Sequence, residues 1–253
     1  MSKFDVLIKA LMVVKNWPLY LADYLKVIKG RVTYTLIDGS TYTLRANTND
    51  RNIFNEVLLH KMYNPPGFEI NKGDIVVDIG AHVGIFSTFA AKDASKVYSF
   101  EPFLENFELL LINKKNNKRD NIIVYNKAVY SQAGKKTLFL DKDNKGGHSF
   151  YQDYLKNRQD KIETETISLQ DVFLQNGISK VNFLKIDCEG SEYDILFNCP
   201  KEVLSKVEKI SMEYHTIDDN HNVTKLQSFL EENGFTVTIL NKIQMLYSNR
   251  LTS

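Results

Sequence analysis

The chain has 253 residues, of which 43% are hydrophobic and 25% charged, so it is long enough and apolar enough to bury a full globular core. Its 32 basic and 31 acidic residues leave a formal net charge of +1, which gives no support for a nucleic-acid partner. The two cysteines, Cys188 and Cys199, are too few for a disulfide framework, and no Cys/His cluster has zinc-site spacing. A reducing, cytoplasmic environment is therefore favoured.

Residues 1–67 are predicted to form a cap on the main part of the same domain, residues 68–253. Within residues 1–30, the apolar run 6–14 is too short to cross a bilayer, and no small-residue cleavage site follows it. We expect a helical extension that packs on the body or on a second subunit. Its basic and aromatic residues also suit peripheral contact with an anionic membrane.

A β-hairpin and a helix are predicted to complete the cap. Residues 31–45 alternate between polar and apolar side chains around Asp38-Gly39, which is a strong hairpin signal. Residues 53–63 have helical spacing and stop before Pro65-Pro66-Gly67.

From residue 75 onward, strand and helix patterns alternate, which is typical of a mostly parallel sheet. Strands are predicted over residues 75–79, 96–100, 122–126, 181–187, 209–215, 236–240 and 244–247, with extra strands over 135–140 and 163–167. Helices are predicted over residues 84–92, 104–116, 169–175, 191–197 and 223–233. The fold class is therefore α/β, with a single sheet of about seven strands preceded by an N-terminal helix and β-hairpin cap. The polar residues 141–161 are predicted to be a loop that closes over a site.

A nucleotide-binding loop is predicted in residues 73–86, between the first strand of this sheet and its helix. After Gly80 the next glycine is Gly84, which does not match the G-x-G-x-x-G fingerprint of dinucleotide-binding proteins. Bare loop amides favour a carboxylate, and Asp78 suits an ammonium group. Glu101 follows Gly84 by 17 residues, at the end of the next strand, where a carboxylate accepts hydrogen bonds from a ribose diol. A ligand with an amino acid at one end and a ribose at the other is S-adenosylmethionine.

Five segments resemble the FkbM-type methyltransferases and come in that family's order. They are Val-Val-Asp-Ile-Gly-Ala-His-Val-Gly-Ile-Phe-Ser (76–87), Ser-Phe-Glu-Pro (99–102), Asn-Lys-Ala-Val-Tyr-Ser (126–131), Leu-Lys-Ile-Asp-Cys-Glu-Gly-Ser-Glu (184–192) and Glu-Tyr-His (213–215). The resemblance covers roughly residues 50 to 247, and the fourth segment is close to a family signature. It implies the class I Rossmann-like methyltransferase sheet, with six parallel strands and an antiparallel seventh. It also implies O-methylation of a hydroxyl on a sugar, glycan or other natural product.

The resemblance further implies which residues hold the methyl donor. The methionine end would be lined by Asp78, Gly80, Ala81, His82 and Gly84. Glu101, beside Pro102, would hold the ribose, and Asn126 and Ala128 would lie near the adenine. Asp187 would lie near the amino group of the donor or the transferring methyl. The loop 141–161 is where members of such a family would differ in substrate.

The sulfonium donor is already activated, so the protein must remove a proton from the acceptor. The sequence offers several candidate residues for this step. His215 is the first choice of base, since its ordinary pKa of about 6.5 suits proton transfer near neutrality. A core histidine bonded to backbone is the alternative interpretation of His215. Asp187, Glu189 or Glu213 would serve instead if a neighbouring acid raised the pKa of one of them.

A metal ion is the rival explanation for the same residues. Asp187, Glu213 and His215 offer two carboxylates and an imidazole, which could hold Mg²⁺ or Mn²⁺ and acidify a bound hydroxyl. Strand alternation puts Glu213 and His215 on one side of their strand, so both are expected to face one site. Arg51 and Glu56 are expected to close the site from the cap.

Two other functions are alternatives to the methyltransferase. A nicotinamide-dependent oxidoreductase is disfavoured by the spacing of Gly80 and Gly84. A non-catalytic nucleotide-binding module is disfavoured by the acids and the histidine at the ends of the fourth and fifth strands of the sheet.

Overall fold

A computed structural model describes residues 3–142, 144–152 and 158–251, and its N-terminal part contains both helices and a hairpin. The elements are α1 (Lys3–Val13), α2 (Trp17–Tyr24), β1 (Arg31–Thr35), β2 (Thr41–Arg45) and α3 (Asp50–Phe54). β1 and β2 pair antiparallel, as the Asp38-Gly39 turn predicts. α3 continues as a π-helical turn, Asn55–Leu59. The helical segment therefore runs from residue 50 to residue 59, whereas the predicted span was 53–63.

The rest of the chain alternates strands and helices as predicted. The elements are β3 (Ile75–Ile79), α4 (Ile85–Ala90), β4 (Lys96–Phe100), α5 (Leu104–Asn116), β5 (Ile122–Tyr125), β6 (Ala128–Tyr130), β7 (Gly134–Asp141), β8 (Arg158–Ser168), α6 (Leu169–Asn176), β9 (Val181–Ile186), α7 (Glu192–Phe197), α8 (Lys201–Leu204), β10 (Val207–Glu213), α9 (Val223–Glu232), β11 (Phe235–Leu240) and β12 (Met245–Arg250). A 3₁₀ turn, Asn241–Ile243, joins the last two strands.

Seven of these strands form the central sheet, in the order β11-β12-β10-β9-β3-β4-β5. β12 runs antiparallel to both of its neighbours, whereas β10, β9, β3, β4 and β5 pair in parallel. The predicted fold class, with six parallel strands and one antiparallel, is therefore confirmed. Parallel strands align their carboxyl ends along one edge of the sheet, and a ligand is expected beyond that edge.

A second sheet lies outside the central one and corrects the expectation of a single sheet. It contains three strands in the order β6-β8-β7. β7 and β8 pair antiparallel. β7 ends at Asp141 and β8 begins at Arg158, so both ends of the predicted loop 141–161 belong to strands. Residues 143 and 153–157 of that loop lie outside the described residues, and residues 144–152 form the part discussed below.

Alternate residues of the central strands pack into two different cores. Val76 of β3 and Phe183 of β9 belong to a hydrophobic cluster that also includes the buried side chains of the cap. Val77 of β3 and Leu184 of β9 face the opposite cluster, beneath α6, α7 and α9. The cap thus shares one continuous core with the sheet.

The first helix packs on this body along one stripe of its surface. Ala10 and Val14 are fully buried, and Val14 forms a β-bridge with Leu36 of the hairpin. Residues 1 and 2 of the segment predicted to contact a membrane lie outside the described residues. No helix in the described ranges combines the length and apolarity needed to cross a membrane.

Candidate active site

An open cavity lies beyond the carboxyl ends of β3, β4, β9 and β10. It encloses about 1180 Å³ when the open space at its mouth is included. Ten of the residues predicted from the sequence line it: Glu56, Gly80, Ala81, His82, Glu101, Pro102, Ala128, Asp187, Glu189 and Glu213. Five predicted residues lie outside the lining: Arg51, Asp78, Gly84, Asn126 and His215.

Gly80 and Gly84, in the loop after β3, are each required for a different steric reason. Gly80 has φ +73°, and a Cβ there would lie 1.6 Å from the carbonyl oxygen of Asp187, so only a bare backbone fits beside the β9 loop. Gly84 has φ +78°, and a Cβ there would lie 2.8 Å from Cγ of Leu110 in α5. Gly84 therefore permits the close packing of α4 on α5, whereas Gly80 belongs to the cavity wall.

Glu101 is the acid at the end of β4, and it is 5% exposed at the cavity wall. Its carboxylate accepts hydrogen bonds from the backbone N–H of His82 at 2.8 Å and of Phe103 at 2.9 Å. Burial raises the pKa of Glu101 to about 7, although these hydrogen bonds act in the opposite direction. Each carboxylate oxygen has a second lone pair, so the group can still accept hydrogen bonds from a ligand diol.

Asp78 lies beneath the cavity rather than at its surface. It is fully buried, accepts a hydrogen bond from Ser87 Oγ at 2.5 Å, and lies 3.2 Å from Nζ of Lys185. Lys185 also donates to the carbonyl oxygen of Gly80 at 2.6 Å and lies 3.6 Å from Asp187 Oδ2. Burial opposes the charge of Lys185, but Asp78 and Asp187 outweigh it and raise the pKa of this lysine. Asp78 thus anchors the lysine that fixes the glycine loop.

Asn126 follows β5 and holds the loop that carries Glu101. Its side-chain amide donates to the carbonyl oxygens of Glu101 at 2.9 Å and Pro102 at 3.1 Å. Ala128, two residues on, lines the cavity itself. Of the two residues predicted to lie near the adenine, Ala128 is at the cavity wall and Asn126 supports the Glu101 loop from outside it.

Four carboxylates gather at the β9–β10 end of the cavity: Glu56, Asp187, Glu189 and Glu213. Tyr63 donates a hydrogen bond from its hydroxyl to Asp187 Oδ2 at 2.8 Å and lies 3.4 Å from Glu213 Oε2. Burial, reinforced by Asp187, raises the pKa of Glu213 to about 8 and that of Glu56 to about 7. Burial also raises the pKa of Glu189 to about 7, against the attraction of His215. Glu56, Glu189 and Glu213, whose pKa values are raised toward neutrality, are thus candidates for proton transfer.

His215 lies behind this acidic cluster, two residues beyond the end of β10 rather than within the predicted strand 209–215. Nδ1 lies 3.1 Å from Glu192 Oε1, and Nε2 lies 3.4 Å from Glu189 Oε2. Burial lowers the pKa of His215, but the carboxylates of Glu192, Glu189 and Glu213 outweigh it and raise the pKa to about 10. A raised pKa opposes the predicted role of His215 as the base, and its contacts with carboxylates favour an electrostatic role.

The predicted metal ligands are engaged with other partners. Among residues 3–142, 144–152 and 158–251, no three His, Cys, Asp or Glu side chains are arranged to hold a metal ion. Asp187 faces Lys185 and Tyr63, and both nitrogens of His215 face carboxylates. This donor set does not fit the Mg²⁺ or Mn²⁺ site considered from the sequence.

Arg51 and Glu56 were both expected to close the site from the cap. Glu56 lines the cavity, but Arg51 instead pairs with Asp23 of the cap at 3.4 Å. Tyr63 and Lys185 have polar atoms among the acids, and neither was predicted. The signal for Lys185 was its place in the 184–192 segment, on the same side of the strand as Asp187.

The described part of the predicted loop, residues 144–152, forms a strap beside the cavity. His148 and Phe150 line the cavity, while Ser149 is fully buried. Ser149 Oγ donates to the carbonyl oxygen of Glu189 at 2.6 Å, and the Tyr151 hydroxyl donates to Asp194 at 2.5 Å. The strap is therefore tied directly to the acidic end of the site.

Comparison with known proteins agrees with this architecture. The model of the methyltransferase FkbM domain family matches residues 78–237. The chain is 25% identical over 213 residues to 31-O-demethyl-FK506 methyltransferase FkbM of Streptomyces tacrolimicus, covering 73% of this chain and 81% of that one. It is 22% identical over 220 residues to methyltransferase sdnD of Sordaria araneosa, covering 74% and 82%.

Solved structures that this chain resembles are more distant in sequence. A Streptococcus mutans protein solved in complex with SAH is 12% identical, with a TM-score of 0.47, and the match covers 77% of this chain and 97% of that one. Precorrin-6y C5,15-methyltransferase of Geobacter metallireducens is 13% identical, with a TM-score of 0.46, and the match covers 86% and 96%. The family model spans more than half of the chain, and the chain therefore belongs to the FkbM family of S-adenosylmethionine-dependent methyltransferases.

Proposed function

We propose that this methyltransferase acts on a hydroxyl group of a sugar, glycan or other natural product. The observation that carries the proposal is the acidic cluster at the β9–β10 end of the cavity, because an alcohol needs a base and burial raises the pKa of Glu56 and Glu189 to about 7 and that of Glu213 to about 8. The relative from Streptomyces tacrolimicus, whose name describes an O-methylation, supports a hydroxyl acceptor.

The residues at the β3–β4 end of the cavity fit the methyl donor. Gly80 leaves a bare backbone at the wall, and Glu101 presents a buried carboxylate with lone pairs to spare. β4 and β10 are separated by β3 and β9, so Glu101 and Glu213 lie on strands roughly 14 Å apart at about 4.8 Å per strand. This separation suits a ribose at one end and the reacting centre at the other. When bound, the donor supplies an activated methyl group.

The residues at the β9–β10 end orient the acceptor and take its proton. Glu189 and Glu213 both lie within 4 Å of His215 Nε2, at 3.4 and 3.9 Å. The retained charge on His215 favours ionised carboxylates, which are the form that can accept a proton. We assign the base to Glu189 or Glu213 and a supporting electrostatic role to His215. The proposal assigns no role to a metal ion, because Asp187 faces Lys185 and Tyr63 and both nitrogens of His215 face carboxylates.

Transfer of labelled methyl from S-adenosylmethionine to a panel of hydroxylated and amine acceptors tests the proposal. Activity should appear with hydroxylated acceptors and fall at least tenfold in Glu189→Gln or Glu213→Gln, while S-adenosylhomocysteine affinity by calorimetry stays within about threefold. Glu163→Gln, at an exposed acid of β8, is the matched control and should keep full activity. Transfer to amines alone would contradict the hydroxyl assignment.

Two further measurements separate this proposal from its alternatives. Binding of NAD without S-adenosylhomocysteine would indicate a nicotinamide-dependent enzyme, and donor binding without turnover on any acceptor would indicate a binding module. Activity should survive EDTA. Its loss in EDTA with recovery in Mg²⁺ or Mn²⁺ would instead restore the metal hypothesis.

A further inference from the structure

Exposed apolar side chains are concentrated at the N-terminal end of the chain. Thirteen large apolar residues are exposed in the described ranges, and seven of them fall between residues 8 and 37. We call these seven the N-terminal surface: Ile8, Met12, Trp17, Tyr24, Leu25, Val27 and Ile37. Met12, Val27 and Ile37 are each 71% exposed, so the cap leaves large apolar side chains in solvent.

Helical geometry and the hairpin bring part of this surface together. Ile8 and Met12 are one turn apart on the side of α1 that faces away from the buried Ala10 and Val14. The backbone N–H of Ile37 donates to the carbonyl oxygen of Val13 at 3.0 Å, so the hairpin turn lies beside the end of α1. The inner stripe of α1 fixes the helix to the body and leaves the outer one toward solvent.

Basic residues are interspersed with these apolar side chains along the chain. Exposed basic residues in the same stretch are Lys9, Lys15, Lys26, Lys29 and Arg31. Of the acids there, Asp23 is 1% exposed and engaged by Arg51 and the Tyr34 hydroxyl, which leaves Asp5 as the exposed acid among residues 5–37. Asp38, next to Ile37, forms an ion pair with Lys92. The chain as a whole carries +1, so this stretch is far more basic than the molecule.

We propose that the N-terminal surface binds an anionic lipid bilayer. Apolar side chains beside lysines, with Trp17 and Tyr24 among them, have the composition of a surface that lies in the headgroup region. Electrostatic attraction brings the basic residues to anionic lipids, and the apolar side chains then enter the acyl boundary. A second copy of this chain would carry the same positive charge and would be repelled, which favours the bilayer as the occupant. This inference does not rest on the identity of the acceptor.

Sedimentation of the full chain with vesicles tests the proposal. The protein should partition at least tenfold more strongly onto vesicles of phosphatidylcholine with phosphatidylglycerol than onto phosphatidylcholine alone. The difference should shrink as salt is raised, because salt screens exposed charges. Binding to neither vesicle, or equal binding to both, would overturn the proposal.

Matched variants locate the contact. Met12→Ser combined with Val27→Ser and Ile37→Ser should weaken binding to anionic vesicles at least tenfold, whereas Leu174→Ser on α6, at a side chain 68% exposed, should leave it unchanged. Lys15→Glu with Lys29→Glu should weaken binding similarly, with Lys201→Glu as its control. Unchanged S-adenosylhomocysteine affinity verifies that each variant is folded. Light scattering that shows a dimer dissociated by the triple variant would overturn the proposal in favour of self-association.

Discussion

The ammonium group of Lys185 holds the floor of the cavity together, and replacing it with methionine should strongly destabilise the fold. Nζ lies 3.2 Å from Asp78 Oδ1 and 2.6 Å from the carbonyl oxygen of Gly80. The side chains of Lys185 and Asp78 are 4% and 0% exposed, so the charge of Asp78 stays buried after the substitution. Methionine keeps an unbranched apolar stem and removes the charge.

The expected loss follows from what the substitution leaves behind. Removing one partner of a buried ion pair costs about 3–5 kcal/mol, because the other charge stays buried without compensation. Ser87 still donates to Asp78, which places the charge term near the lower end of that range. The carbonyl oxygen of Gly80 loses a donor, which adds about 1 kcal/mol. We therefore expect Lys185→Met to lower the free energy of unfolding by about 4 kcal/mol.

Urea denaturation followed by circular dichroism measures this loss by linear extrapolation. The double variant Lys185→Met/Asp78→Asn removes both charges and should recover at least about 2 kcal/mol relative to the single variant. Lys180→Met breaks an exposed pair with Glu208 and should cost at most about 1 kcal/mol. A loss below about 1 kcal/mol in Lys185→Met, or a double variant no more stable than the single, would refute the reasoning.

Three further predictions concern the site itself. Glu101→Ala should weaken S-adenosylhomocysteine binding by about 1.5–3 kcal/mol in calorimetry, the scale of hydrogen bonds to a charged group, and unchanged affinity would argue against the ribose role. Ser149→Ala removes the hydrogen bond to the carbonyl oxygen of Glu189, a residue with φ +52°, so kcat should fall while cofactor affinity stays constant. Equal losses in kcat and in cofactor affinity would indicate general damage to the fold instead. The profile of kcat/KM should rise between about pH 6 and 8, because a carboxyl with a pKa of about 7 (Glu189) or 8 (Glu213) accepts a proton only after it ionises. A flat profile over that interval would exclude both acids as the base.

The fold could be predicted because the central strands carry local and unambiguous signals. Ile75–Ile79 and Lys96–Phe100 have the predicted bounds, since strands buried on both faces form short apolar runs between polar segments. Ser168 caps α6 as its sequence indicates, with Asp171 completing a capping box. The second sheet was harder to predict, because the polar residues at the ends of β7 and β8 are typical of a loop.

The roles of site residues were less predictable, because they depend on partners distant in the chain. Gly84 packs against Leu110, and a glycine required for helix packing cannot be distinguished in sequence from one that admits a ligand. His215 gains its charge from Glu192, which lies 23 residues earlier. Tyr63 reaches Asp187 from the cap across 124 residues. No local pattern encodes such contacts.

The buried cations explain why so many acids can share one cavity. Lys185 and His215 lie beneath the carboxylates and compensate them from the protein side, which leaves other lone pairs of the acids directed toward a ligand. The β3–β4 end and the acidic end of the cavity are built from different strands, and the strap 144–152 is connected to both. Asn106 lies 3.5 Å from Glu101 and donates to the carbonyl oxygen of Lys145, while Ser149 donates to that of Glu189. We therefore expect sequence changes in the strap to affect the acidic end through Ser149 and the β4 end through Asn106.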